Sequence, residues 1–367
     1  MFSIMNTRRM TLETALTLTF MLLAFYLWRT AQSPNLAKPH IGSGTVSTPD
    51  FRPGQPKSPG SPYTRTLVIG KLPEEDISWI DRELPGMNTS IYTVGVDTLN
   101  KGHEAMVYLT YMIDHYDNLA DTNIFFHPHL ITWHNNDLLD SNAATTIRHL
   151  SDEHVARVGY FNSRCHEEPG CPDWLHLDRP EAELDPGRKM EERYFTPAVW
   201  KELHPEAPMP HAISQPCCAQ FMVSRERIRS HPRSEYLRYR EWLLTTSLTD
   251  EMSGRVMEYT WQYLFTGEAE VCPQMNKCYC DGYGVCFGGK AEMQNWFDMR
   301  DKERVMGGNI SVLYSEGKTE EAKKLEIDRE FLRQRMDLLK EEAFERGADP
   351  RNRAIECGRD WKEGDGF

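Results

Sequence analysis

Three imidazoles and a carboxylate fall within eleven residues, as His127, His129, His134 and Asp137 in the stretch FHPHLITWHNND. Imidazole nitrogens and a carboxylate oxygen can together ligate a divalent metal, and the same groups can bind an anion. In an extended chain His127 and His129 would point the same way. The alternative is a rigid turn whose histidines bond only to backbone. Glu258 is the second candidate. It lies on a largely apolar helical stretch, RVMEYTWQYLF, residues 255–265. An acid there either pairs with an arginine or has its pKa raised by burial and acts as a catalytic base. Arg225, Arg227 and Arg229 follow Ser224 at one helix start. They could face a phosphate or form a solvated face.

The elements that must position these groups read as strands alternating with helices. Leu67 to Ile69 is a short apolar run, followed by DISWIDREL, residues 76–84, with Ile77, Ile80 and Leu84 on one helical face. Ile91 to Val96 is the next strand. A helix opening at Asn100-Lys101-Gly102 carries a stripe of Ala105, Tyr108, Leu109, Met112, Ile113 and Tyr116. Thr122 to Phe126 is the third strand, and His127 follows it directly. Val158 to Phe161 and Cys218 to Val223 read as two more strands, separated by a polar, Pro-punctuated insertion with a helix near Thr196 to Leu203. Ser224 caps a helix, and Glu235 to Leu244 and Arg255 to Phe265 are further helices. This order predicts an α/β protein with a mostly parallel sheet flanked by helices, in a Rossmann-like three-layer arrangement. Ligands of such sheets bind beyond the carboxyl ends of the strands.

With 40% hydrophobic and 11% aromatic residues in 367, a folded core is assured. The net charge of −13 has the wrong sign for a protein that holds nucleic acid through its phosphates. Thr14 to Trp28 is an uncharged run that would span about 22 Å as a helix. It reads as a signal-anchor helix, with a cleaved signal peptide as the alternative. Residues 30–63, rich in Pro, Ser and Gly, predict a flexible stalk. The body then covers 64–290, and 291–367 is a charged tail. Leu325, Leu332, Met336, Leu339 and Ala343 mark an amphipathic helix in the tail, stopping at Gly347 with Pro350 beyond, which packs on the body or on a second subunit in a homodimer.

All nine cysteines lie between Cys165 and Cys357. The spacings of Cys165, Cys171, Cys217, Cys218, Cys272, Cys278, Cys280 and Cys286 suit up to four disulfides better than zinc, leaving Cys357 odd. Asn88-Thr89-Ser90 and Asn309-Ile310-Ser311 are glycosylation acceptor sequences. Together these features predict a type II membrane protein with its body in the lumen of the secretory pathway.

The blocks Asn100-Lys101-Gly102-His103-Glu104-Ala105, Tyr108-Leu109, Cys218-Ala219-Gln220-Phe221 with Ser224-Arg225-Glu226-Arg227-Ile228, and Glu258-Tyr259-Thr260-Trp261 resemble the signature of an uncharacterised domain family found mainly in filamentous fungi, with bacterial relatives. The resemblance covers about Thr66 to Cys286 and carries no established activity. A second resemblance is to GT-A type nucleotide-sugar glycosyltransferases, in which a helix leads into a strand ending in Asp-x-Asp, the holder of metal and sugar diphosphate. Here His127-Pro128-His129 stands at that place. Imidazoles would move the preference toward softer metals or end metal use. The resemblance implies a glycosyltransferase with Glu258 as base. His127, His129, His134 and Asp137 would be near the diphosphate or a divalent metal, with Asn100, Lys101, Gly102, His103, Arg225 and Arg227 binding substrate. Other readings are a non-catalytic scaffold of the same fold and a His-ligated metal enzyme of fungal secondary metabolism.

Overall fold

The computed structural model describes residues 50–180, 183 and 189–367. The expected anchor and most of the expected stalk lie outside the described residues. Among the described residues no helix is long and apolar enough to cross a membrane.

A mixed five-stranded sheet runs β2-β1-β3-β5-β4, built from β1 (Arg65–Lys71), β2 (Thr89–Thr93), β3 (Thr122–Phe126), β4 (Tyr160–Asn162) and β5 (Phe221–Ser224). β1 is parallel to both β2 and β3, whereas β5 runs antiparallel to β3 and β4. Four strands therefore share one direction and β5 opposes them. Alternating side chains sort to two buried faces. Val68, Phe125, Phe221 and Val223 face one apolar cluster, and Leu67, Ile69, Ile124, Phe126 and Met222 face the other. Burial on both sides is why TLVI and NIFF read as continuous apolar runs.

The shorter helices before β5 are α1 (Trp79–Glu83), α2 (Glu104–Asp114), α3 (Ala143–His149), α4 (Asp152–Val158) and α5 (Pro197–Leu203). They are followed by α6 (Arg225–Arg229), α7 (Arg233–Thr245), α8 (Asp250–Glu258), α9 (Trp261–Thr266) and α10 (Met275–Tyr283). α2, α7, α8 and α9 cover the face of Phe125, while α1, α3 and α10 cover the face of Ile124. Gly70 lets α2 close on β1, because a Cβ there would stand 2.9 Å from Val107 Cγ2. The single helix expected over 255–265 is two helices. The Thr260 hydroxyl donates to Val256 O at 2.7 Å, competing with the backbone ladder, and the break leaves Glu258 at a helix end.

The charged tail holds two long helices, α11 (Lys290–Ser315) and α12 (Thr319–Gly347), followed by α13 (Pro350–Cys357). α12 ends at Gly347 as its pattern predicts. Pro350, expected beyond the last helix, instead begins α13, whose N-cap Asp349 accepts from the Arg351 amide. These helices pack on the body. Trp296 Nε1 donates to Met336 O at 3.0 Å, and the Cys286 amide donates to Ala343 O at 3.0 Å. The described residues form one compact unit. The end of the expected stalk is also held to it, since Gly54 N donates to Arg157 O at 2.8 Å and Lys57 pairs with Asp121 at 2.8 Å.

Four disulfides cross-link the unit: Cys165–Cys278, Cys171–Cys272, Cys217–Cys218 and Cys280–Cys286. Cys357 is the free thiol. Burial pushes its pKa up to about 12, which makes it a poor nucleophile.

Candidate functional site

Because β1, β2 and β3 are parallel, their carboxyl ends share one edge of the sheet, and β5, running the other way, begins there. Four chain segments reach that edge. The loop of Asn100 to His103 leads into α2, His127 follows β3, the Cys217–Ala219 turn leads into β5, and α8 ends at Glu258.

The entry to α2 is tightly seated. Gly102 and His103 both have left-handed φ, at 72° and 50°. The His103 amide donates to Asp250 Oδ1 at 3.2 Å, and Lys101 Nζ donates to Leu248 O. Gly254 makes room for this loop, because a Cβ there would lie 2.8 Å from His103 Cδ2 and 3.2 Å from Gly102 O. The first residue of α2 is then Glu104. Asn100 and His103 are exposed, so of the four predicted substrate-binding residues in this loop two can meet a ligand through their side chains. The Lys101 amine is occupied by the backbone.

Glu258 accepts a hydrogen bond from the Cys218 amide, offered by a turn in which Cys218 and Ala219 also have left-handed φ. Its backbone carbonyl accepts from Gln215 Nε2. Arg255 pairs with Glu191 at 2.6 Å and Glu251 at 3.5 Å, and among the described residues no ion pair reaches Glu258. Burial raises the Glu258 carboxyl to about 7, with Glu191 adding to the rise and the Cys218 amide and Arg255 opposing it. Burial likewise raises Glu104 to about 8, and the charges of Glu258 and Asp250 push in the same direction. Both residues sit deep in protein, yet neither is closed to solvent.

Tyr108 Oη on α2, His127 Nε2 after β3 and Trp261 Nε1 on α9 are buried with no hydrogen-bond partner among the described residues. The Tyr108 and Trp261 rings are 6.2 Å apart, and Tyr108 follows Glu104 by one helical turn. Buried polar atoms are nearly always satisfied by protein, water or ligand, so each of these three keeps bonding capacity open.

His127 Nδ1 lies 3.0 Å from His134 Nδ1, one ring donating and the other accepting. The His127 amide donates to Gln220 Oε1 at 3.1 Å, and Gln220 Nε2 donates to Asn135 Oδ1 at 2.9 Å, tying the loop to the start of β5. Burial, followed by the neighbouring His134, lowers His127 to about 3. Burial and then Arg164 lower His134 to about 4. Both rings are neutral near pH 7 and supply no positive charge to a diphosphate.

The predicted metal set does not gather. The chain leaves the strand after Phe126, so His129 does not follow His127 but turns outward to Glu75 at 3.3 Å. Asp137 is held by Arg300 and, at 3.3 Å, by Arg304 of α11, a helix the charged tail did not reveal. Only His127 and His134 adjoin. Arg225 and Arg227 are also displaced from the site, because β5 is antiparallel. Ser224 pairs with Thr122 at the opposite edge of the sheet, roughly 17 Å away along a five-residue strand. There Arg225 pairs with Asp121 at 2.9 Å, and Arg227 donates to Phe265 O at 2.6 Å and Arg52 O at 3.0 Å.

Glu104, Tyr108 and the joined Cys217–Cys218 are the members that sequence reasoning left out of the site. An acid in a first helical turn reads as an ordinary partner of the helix dipole, and its neighbour Glu258 is distant in sequence. Adjacent cysteines carried the one available signal for the turn.

Two carboxyls raised into the neutral range at strand ends, one beside a strained turn, form a site able to take and return a proton within a disulfide-linked α/β protein with a mixed sheet. Residues 67–281 match the family described as protein of unknown function (DUF3431), and the chain belongs to that family. No curated protein and no solved structure matches the chain.

Proposed function

We propose that the protein is an acid–base enzyme that activates a substrate hydroxyl with Glu258, and that the reaction is transfer of a sugar from a nucleotide sugar. The carboxyl of Glu258, raised to about 7 beside Glu104 at the carboxyl ends of the parallel strands, is the observation that carries this reading. A base is most effective when its pKa lies near the working pH. Glu104, raised to about 8, is protonated when Glu258 has lost its proton, and so can hold a hydroxyl or return a proton. The glycosyl-transfer part rests on the place of His127-Pro128-His129 after a central strand, the position of Asp-x-Asp in GT-A type enzymes. Exposed Trp133 beside His134, with ring centroids 4.3 Å apart, offers a flat apolar surface suited to a sugar ring. Four disulfides support an oxidising compartment such as the secretory lumen, and Asn88 and Asn309 are exposed as glycosylation requires.

The test uses the purified full chain. Saturable thermal stabilisation by a nucleoside diphosphate, with slow nucleotide-sugar hydrolysis lost in a folded Glu258→Gln variant, is the expected result. The neutral state of His127 and His134, with Arg225 and Arg227 at the far edge, favours a second reading, a non-catalytic module binding an uncharged ligand. Stabilisation by a neutral oligosaccharide but by no nucleotide, with no turnover, would establish that one instead.

A further inference from the structure

A separate group of metal-ligating side chains lies in the segment between β4 and β5. Asp173, His176 and His211 each offer a ligand atom, and the three atoms lie within 4.8 Å of one another. The backbone brings them together. Leu175 and Ile213 exchange both hydrogen bonds of an antiparallel bridge, at 3.0 and 2.8 Å, so the two ends of the insertion run side by side. His176 is buried, and its Nε2 faces Asp173 Oδ1 at 2.9 Å. Its Nδ1 lies 3.4 Å from Glu192 Oε1, and Glu192 also accepts from the His176 amide at 3.0 Å. A buried carboxylate behind an imidazole fixes the ring and raises the basicity of the nitrogen facing a metal. His211 is exposed, its ring 5.2 Å from that of His176, and its Nδ1 lies 3.6 Å from Asp178 Oδ2.

We propose that Asp173, His176 and His211 bind a borderline divalent cation, Zn2+ by preference, with Asp178 as fourth ligand and Glu192 as the positioning residue behind His176. Two imidazoles and two carboxylates suit four-coordinate zinc. All four ligands come from protein, so the site is structural, a clip closing the insertion at its two ends. Arg179 lies 2.6 Å from His176 Nδ1 and 3.3 Å from Glu192 Oε1. Loading moves the imidazole proton from Nε2 to Nδ1, so Arg179 gives up the ring and keeps Glu192.

The experiment is Zn2+ titration by calorimetry on the chelator-stripped full chain, with metal analysis after gel filtration. One Zn2+ per chain is expected. His211→Ala, at an exposed position that the fold does not need, weakens binding at least tenfold, and Glu192→Gln weakens it by about 10–100-fold. A Co2+-loaded chain shows a tetrahedral spectrum without a thiolate charge-transfer band. The proposal is overturned if the wild-type chain retains no Zn2+, or if His211→Ala and His176→Ala chains bind it as tightly as wild type.

Discussion

Glu104 and Glu258 depart from ordinary glutamates because protein surrounds them and, among the described residues, no ion pair reaches either. Arg255, one turn before Glu258, is turned to Glu191 and Glu251. A base of pKa about 7 and an acid of about 8 give a bell-shaped profile. Activity should rise with pH as Glu258 loses its proton and fall as Glu104 loses its own, and Glu104→Gln should abolish the alkaline limb. Glu258→Gln should lower turnover by about 10²–10⁴-fold with little change in melting temperature. The same shifts make a stability prediction of definite sign. Both folded-state values lie above the ordinary glutamate value, so the native state binds protons more tightly than the unfolded chain. That contribution is complete below the ordinary value and is lost as pH rises through about 7 and about 8. Glu104→Gln, neutral at every pH, should therefore melt on the order of a few degrees higher than wild type at pH 9 and the same at pH 4, as read by scanning calorimetry.

At the scale of elements, the site depends on how closely α2 and α8 approach. Gly254 lies against the Gly102–His103 loop, and a methyl group there would stand 2.8 Å from His103 Cδ2. Gly254→Ala should cost about 1–3 kcal/mol by urea denaturation, and should lower activity by moving Glu104 with its helix. Much at this scale was legible in the sequence. Thr122–Phe126 is the strand its apolar run predicts, Ser224 caps α6 by accepting from the Arg227 amide, and a largely apolar helix around Glu258 announced its burial. Strand direction was not legible. The side chains of Phe221–Ser224 alternate between the faces whichever way the strand runs, so nothing local showed that β5 opposes its neighbours. That one reversal removed Arg225 and Arg227 from the site. Val158, expected to open the strand Val158 to Phe161, instead closes α4, and Gly159 at φ 77° makes the turn into β4. The sequence pattern does not mark α11, because its exposed faces are charged and its buried side chains, among them Met293, Trp296 and Met306, are sparse.

At the scale of the molecule, cross-links and the last helices complete a unit whose family match alone does not bound it. Cys165–Cys278 and Cys171–Cys272 join residues 113 and 101 apart, so each removes much entropy from the unfolded chain. Replacing the Cys165–Cys278 pair by serines should cost about 2–5 kcal/mol, seen as an earlier denaturation midpoint with the other bridges intact by non-reducing peptide mapping. The tail belongs to the same unit, since Gly347 packs on the Gly284 carbonyl and Trp296 reaches Met336 O. The central claim is that the strand-end edge holds carboxyls titrating in the neutral range. Its most direct test is a pH titration of the full chain labelled with 13C at glutamate side-chain carboxyls. Two resonances should move with midpoints near 7 and 8, one absent from Glu258→Gln and the other from Glu104→Gln. If every glutamate has instead finished titrating by about pH 5.5, the values of ordinary solvated carboxylates, the account is contradicted.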